Sequence, residues 1–343
     1  MAHTTLAETL HHRREQTAAL RSSRAARLAA TLGWTLVALL LASGVIFFTL
    51  HILPGDVAVL KAGTEATTDH VTGLRTELGL DRPLWIQYGS WLLGLLRGDL
   101  GVSAITSQPI AATIAAKLSV TVPLVLTSLL IALAASIPLG TFVALHRHAR
   151  VGSICELIIQ VGASIPTFLL GSLLVALFAL HTGWFPATGF PQSGWHQWSA
   201  AVRSLVLPIG ALTLPQIAIF ARYVRSAVLA VTSRDSFRTA RAQGLTVRGA
   251  LRHSWRQVAL PLVSVLALDV AGLMTGAVLV EQVFALPGWG AFLVTSVAAR
   301  DFSVVQSMLF ILSAIVILVM ACASMSTAFI DPAAHGRGRD ISR

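Results

Sequence analysis

Few side chains in these 343 residues are equipped for chemistry, and those few stand apart from one another. Asp269 interrupts an otherwise apolar stretch, Leu262-Val-Ser-Val-Leu-Ala-Leu-Asp-Val-Ala271, and Glu281 lies twelve residues further on, shortly before Pro287-Gly288. Neither has a second carboxylate, a histidine or a nucleophile at the spacing that acid–base or covalent catalysis requires. His146 and His148 sit at i and i+2, which do not share a helix face, so they make a poor metal pair. His11-His12 near the N-terminus is an equally weak metal signal. The only lysines, Lys61 and Lys117, are followed by Ala62 and Leu118, so the Gly-Lys-Ser/Thr core of a nucleotide-phosphate loop is missing. Neither Gly-x-Ser-Gly nor His-Glu-x-x-His occurs, which removes an intramembrane protease. The chain is not expected to be an enzyme or to bind a cofactor or metal of its own.

The elements that must carry these residues follow from composition. Hydrophobic residues make up 55% and charged residues 12%, half the share of a soluble domain. Mean hydropathy is +0.75. These values exclude a water-soluble globular protein and a disordered scaffold. Cys155 and Cys322 both lie in apolar stretches and are too few for a disulfide framework. About 20 apolar residues cross a bilayer as a helix. Six stretches meet that length, and we place them at Thr31–Leu53, Ser119–Leu145, Ile154–Leu180, Leu205–Val228, Ala259–Phe284 and Val304–Ile330. The expected fold is all-α and polytopic, with six transmembrane helices.

Orientation follows from the basic residues. With both termini cytoplasmic, the inner segments 1–30, 146–153, 229–258 and 331–343, together with Arg222 and Arg225, hold 18 of the 25 Lys and Arg residues. The net charge of +10 is then a topology signal, and a nucleic-acid role is not expected. The first apolar stretch is too long for a signal-peptide core and reads as a retained anchor. Outside, 54–118 forms a cap segment in which Pro83–Arg97 places Trp85, Tyr88 and Trp91 near one helical face, as an interfacial helix would. Residues 119–330 form a five-helix core. Glu156, near the inner mouth of the third span, is expected to be solvated. Within the fifth span Gly272 and Gly276 make a GxxxG pair that permits close helix approach. Glu281 is either scaffolding for the turn at Pro287-Gly288 or a surface side chain reaching to water.

The segment between spans four and five, 229–258, is the most informative. Asp235 or Ser236 can cap a short helix through about Gln243, Gly244 can stop it with a positive φ, and Thr246 can cap a second helix leading to Pro261. Phe237 and Ala240, flanked by Arg238 and Arg241, form a knob too short to stand alone. Such a knob points to docking into another protein. Arg248, Arg252 and Arg256 give the second helix a cationic face that suits lipid headgroups.

Arg238-Thr-Ala-Arg-Ala-Gln-Gly244-Leu, followed by Arg252-His253 and Leu260-Pro261, resembles the cytoplasmic coupling loop of ABC-importer permeases, specifically the "B"-type inner-membrane subunit of the dipeptide/oligopeptide/nickel group. The wider superfamily begins this loop with Glu-Ala-Ala, and Arg238 stands at the Glu position, as is usual in the peptide branch. His51-Ile-Leu-Pro-Gly-Asp56, Glu77-Leu-Gly-Leu-Asp-Arg-Pro83, Arg97-Gly-Asp-Leu-Gly101, Ser164-Ile-Pro-Thr-Phe168, Gly183-Trp-Phe-Pro186 and Glu281-Gln-Val-Phe-Ala-Leu-Pro-Gly-Trp-Gly290 agree in order and spacing. The resemblance covers about 28–335. It implies a translocation pathway shared with a second permease, two cytosolic ATPases that bind ATP and Mg, and an external binding protein that delivers the solute. On that basis Phe237 and Ala240 would insert into the ATPase, Arg238 and Arg241 would line the contact rim, and Gly244 would make the turn. Gly272 and Gly276 would pack against the second permease, and Glu281, Pro287 and Gly288 would form an external gate or turn. Asp269 departs from the family, which more often has Gln or an apolar residue there. An Asp at bilayer depth must face a cavity or a partner. It either lines the pathway and meets a cationic solute group, or is held protonated at the subunit interface. Peptides are the expected solute, nickel or a metal chelate the alternative, and an ion-coupled secondary transporter the competing class.

Overall fold

The computed structural model describes residues 2–52, 57–62, 67–77 and 79–330. The end of the His51–Asp56 motif and the tail 331–343, with its three arginines, lie outside the described residues. The described residues are overwhelmingly helical. Helix α1 (Ala2–Ile52) leads into a cap of short helices α2 (Val57–Ala62), α3 (Thr68–Glu77) and α4 (Leu84–Leu96). The core follows as α5 (Ile110–Leu145), α6 (Arg150–Ser164), α7 (Thr167–Leu174) with a π-helical continuation Val175–His181, and α8 (Trp198–Thr232). The remainder is α9 (Asp235–Ala242), α10 (Val247–His253), α11 (Trp255–Val283), α12 (Trp289–Ala298) and α13 (Phe302–Ile330).

Five of these helices are long and apolar enough to cross a membrane: Leu28–Ile52 of α1, then α5, α8, α11 and Phe302–Ser326 of α13. The expected third span is a bent pair. α6 and the α7 segment meet at 98°, with Ile165 extended and Pro166 at the junction. Pro166 has no N–H to continue the ladder, and it disfavours helical geometry at the residue before it. Pro123, Pro138, Pro208, Pro215 and Pro261 lie inside their helices instead. The Ser119 carbonyl, freed by Pro123, accepts from the Trp195 indole at 2.9 Å.

Among the buried apolar clusters of the described residues, two bind the same three long helices. One joins α5, α8 and α11 through Leu124, Leu212, Leu273, Ala277 and Phe284. The other, at the far end of the same three helices, gathers Ala144, Val224, Val228, Leu251 and Val258. The α5–α8 crossing is close because small residues face each other. A Cβ on Gly140 would lie 2.4 Å from the Ala221 carbonyl oxygen and 2.7 Å from Val224 Cβ, both incompatible with van der Waals contact. Without a hydrophobic drive between helices in lipid, this kind of steric fit decides association.

At the cap end, α4 lies on α1 and α13. Tyr88 hydrogen-bonds Ser43 at 2.8 Å, its ring meets Phe47, and Trp91 meets Phe310. Trp85 stays exposed. Arg97–Gly101 is a turn, with Gly98 and Gly101 at positive φ and the Asp99 carboxylate accepting from the Gly101 amide. Asp301 ties the cap to α13 by accepting from the Ser103 hydroxyl and from the Val304 amide.

Gly140→Ala is expected to wedge α5 from α8 and cost about 1–3 kcal/mol, the usual range for overpacking. Gly44→Ala, where a Cβ meets nothing within 4 Å, should be neutral or better. Thermal unfolding of the two variants in detergent separates these outcomes.

Candidate functional site

The segment joining α8 to α11 is built much as its turn chemistry dictates, with one change of face. α9 starts at Asp235 with Arg234 as N-cap, and neither Asp235 nor Ser236 occupies the capping position. Gly244 adopts φ +89°, the Leu245 amide bonds the Ala240 carbonyl at 3.3 Å, and the Gly244 amide bonds that of Arg241 at 3.1 Å. That paired arrangement is a Schellman stop, and a Cβ at this φ would be strained. Thr246 caps α10 by accepting from the Gly249 amide at 3.1 Å. The second helix then breaks at Ser254 before α11 begins, so it does not run unbroken to Pro261.

Phe237 and Ala240 take a different place from the one expected of an inserting knob. They are 7% and 6% exposed and pack into their own chain among Val228, Val231, Ala250 and Leu251. An eight-residue helix has only one apolar edge, and here that edge is spent on anchoring. The face left outward carries Arg238, Thr239, Arg241 and Ala242, followed by Gln243, Gly244 and Leu245. Arg238 approaches Asp235 at 3.7 Å, an exposed pair of little energetic weight. Arg241 donates to the Leu245 carbonyl at 2.6 Å and so closes the turn. Arg234 donates to Gln257 of α11 at 2.8 Å. The result is a rigid cationic projection, continuous with α8 and α11.

α8 is also tied to the bent pair. Arg225 donates to Glu156 of α6 at 2.9 Å. Glu156 is therefore partnered rather than simply solvated.

At the opposite end Glu281 is fully buried. It accepts from the Thr121 hydroxyl of α5 at 2.5 Å and from the Ala291 amide at 2.9 Å, while Thr121 accepts from the Trp289 amide at 2.8 Å. A carboxylate held at the first turn of α12 satisfies amides that the helix itself cannot. Gly288 makes room: a Cβ there would fall 2.2 Å from the Glu281 carboxylate. A Cβ on Gly290 would strike Val278 at 2.6 Å. Pro287 is exposed beside them. A surface position for Glu281 is excluded by this burial.

The glycine pair on α11 divides. Gly276 is buried, its Cβ position 3.2 Å from Leu212 of the same chain, whereas Gly272 is exposed. Asp269 is half-buried and stands beside the Gln216 side chain of α8. The sequence alone assigns no role to Gln216 or Thr121, and marks Arg225 only as a basic residue at the inner end of its span. A glutamine directly after Pro215 in an apolar helix was a usable signal, whereas a single threonine among many was not. Among the described residues no group of three or more His, Cys, Asp or Glu is placed to hold a metal ion.

Glu281→Ala removes the acceptor from the Ala291 amide and the Thr121 hydroxyl, and is expected to destabilise the fold by about 3 kcal/mol. Glu281→Gln keeps an acceptor and should cost markedly less. Unfolding midpoints in detergent for both variants, compared with the parent, measure the difference.

Residues 28–125 match the N-terminal family described as binding-protein-dependent transport system membrane component, and residues 136–336 match the binding-protein-dependent transport system inner membrane component family. A glutathione transport system permease protein, GsiC, of Escherichia coli O6:H1 is 34% identical over 296 residues, covering 86% of this chain and 94% of that protein. Its counterpart in Salmonella choleraesuis is 33% identical over the same length and shares. A Brucella suis biovar 1 protein whose name assigns it provisionally to a peptide transport system as permease is 36% identical over 295 residues, with 84% and 92% covered. With over half of its length inside one family and relatives matched nearly end to end, the chain belongs to the inner-membrane components of binding-protein-dependent transport systems, the multi-pass permeases of ABC importers.

Proposed function

We propose that this chain is one of two permeases that together form the pathway of an ATP-driven peptide importer. A binding protein delivers the solute on the cap side, and two ATPase subunits supply the energy on the side that bears α9. The peptide class is supported by the names of the relatives, since glutathione is itself a tripeptide. The basic residues near α9 and in the flanking inner segments support a cytoplasmic position for that end and for both termini.

The observation that carries the reading is the anchoring of α9. A projection meant to receive force must not slide on its own base. Phe237 and Ala240 lock it into the cluster shared with α8, α10 and α11, and Arg234 bridges it to Gln257. A push on the outward Arg238–Arg241 face therefore moves α8 and α11 as rigid bodies. Both helices continue across the membrane to the Leu212–Leu273 core, so the displacement reaches the pathway through continuous helices. In this arrangement the arginines contact the ATPase, the apolar pair transmits, and Gly244 sets the angle. The exposed Gly272 remains available to the second permease. Pro287, Gly288 and Glu281 set the entrance turn on the cap side.

Purification of the complete complex from membranes, reconstitution into proteoliposomes and assay of a labelled tripeptide test this directly. Uptake is expected only with internal ATPase subunits, ATP and the binding protein together. Accumulation by the permease without ATPase subunits overturns the reading in favour of a secondary transporter. Arg238→Glu with Arg241→Glu is expected to lower ATP-driven uptake at least tenfold while moving the unfolding midpoint far less than a substitution of the buried Phe237, because both arginines are exposed. Phe237→Ala should instead destabilise the fold by about 3 kcal/mol and lower the midpoint accordingly.

A further inference from the structure

Among the described residues, four buried side-chain polar atoms lack partners, and two of them, on Gln216 and Asp269, lie on adjacent apolar helices. Gln216 of α8 is 7% exposed and lies one turn beyond Leu212, which packs on Gly276 of α11, so it stands beside Asp269. Gln216 Oε1 is buried with no hydrogen-bond partner, and Asp269 Oδ2 is buried with none either. Two acceptors on two adjacent helices, one of them on an acid, are thus left unsatisfied at bilayer depth, where each orphan is costly. What would satisfy both is a single group with several N–H donors and a positive charge.

The surroundings fit a ligand rather than a structural ion pair. The neighbour one turn along α11 toward the cap is Gly272, whose Cβ position is 3.7 Å from Asp269 Oδ1 and whose surface is open. Two turns along, Gly276 packs on Thr167, the first residue of α7, so the broken span sits one layer above the pair. Discontinuous helices at mid-depth are where membrane carriers place solute sites. Among the described residues neither Lys nor Arg pairs with Asp269.

We propose that Asp269 and Gln216 form an acceptor site for a primary ammonium group of the transported solute, the α-ammonium of a peptide being the chemistry that matches. This deepens the peptide-importer reading and rests on it. One ammonium proton goes to Asp269 Oδ2, a second to Gln216 Oε1, and the charge is matched by the carboxylate.

The test uses the complete reconstituted complex and labelled trialanine. At a subsaturating concentration Asp269→Asn, which keeps the side-chain shape, is expected to lower uptake about tenfold, the scale of one lost charged hydrogen bond. Asp269→Glu should recover most of it. Methylammonium should inhibit trialanine uptake by the parent complex, tetramethylammonium at equal ionic strength should not, and Asp269→Asn should be indifferent to both. Equal effects of the two amines, no effect of either, or retained methylammonium sensitivity in Asp269→Asn overturns the site. No effect of either would mean that Oδ2 carries its own proton toward Gln216. A parent complex with no ATP-dependent trialanine uptake at all overturns the peptide reading instead, and the two failures are thereby told apart.

Discussion

The buried Glu281 carboxylate is the interaction on which the arrangement of the core depends. An acid with no exposure, at the end of an apolar helix, is tolerable only if its oxygens are matched by donors. It finds them on two other elements, the Thr121 hydroxyl of α5 and the first turn of α12. Thr121 passes the connection on to the Trp289 amide. One side chain thereby sets the distance between α5 and α11, the direction in which the chain leaves α11, and the start of α12. The glycines at 288 and 290 follow from it, because the loop must pass within contact distance of the carboxylate and of Val278. Ala285 and Arg300, both at positive φ without being glycine, close the turns at either side of this unit. Such strained residues persist where their surroundings over-determine them.

From that fixed end, α11 and α8 run together to the opposite one. There the logic changes from polar matching to steric fit: Gly140 against Ala221, then an apolar cluster that receives Phe237 and Ala240. The two ends are joined by helices that carry no break, whereas the bent pair α6–α7 is joined to α8 through Arg225–Glu156 near one end. A body made of continuous helices thus lies beside a neighbour made of a broken one.

The layer between the ends is where polarity is least resolved. Gln216 and Asp269 face each other from α8 and α11, the same two helices that link α9 to the cap side. In the proposed mechanism a solute bound there contacts the elements that a push on α9 would displace, which connects binding to the driving motion without requiring any separate relay.

Much of this was legible in the residues taken alone. Apolar runs of bilayer length determined the membrane class and five of the six spans, because local hydropathy and helix length are properties of the chain itself. Gly244 and Thr246 determined the turn and the cap between α9 and α10, since positive φ and hydroxyl capping are also local. Only tertiary structure decided which way the short helix faces. Periodicity shows that Phe237 and Ala240 share an edge, but not whether that edge meets a partner or the chain's own core. It likewise decided that Glu281 is buried, that Glu156 has Arg225, and that Gly276 is used internally while Gly272 is not. Each of these depends on residues tens to more than a hundred positions away, and pairing at that range is set by packing geometry, which no local pattern encodes.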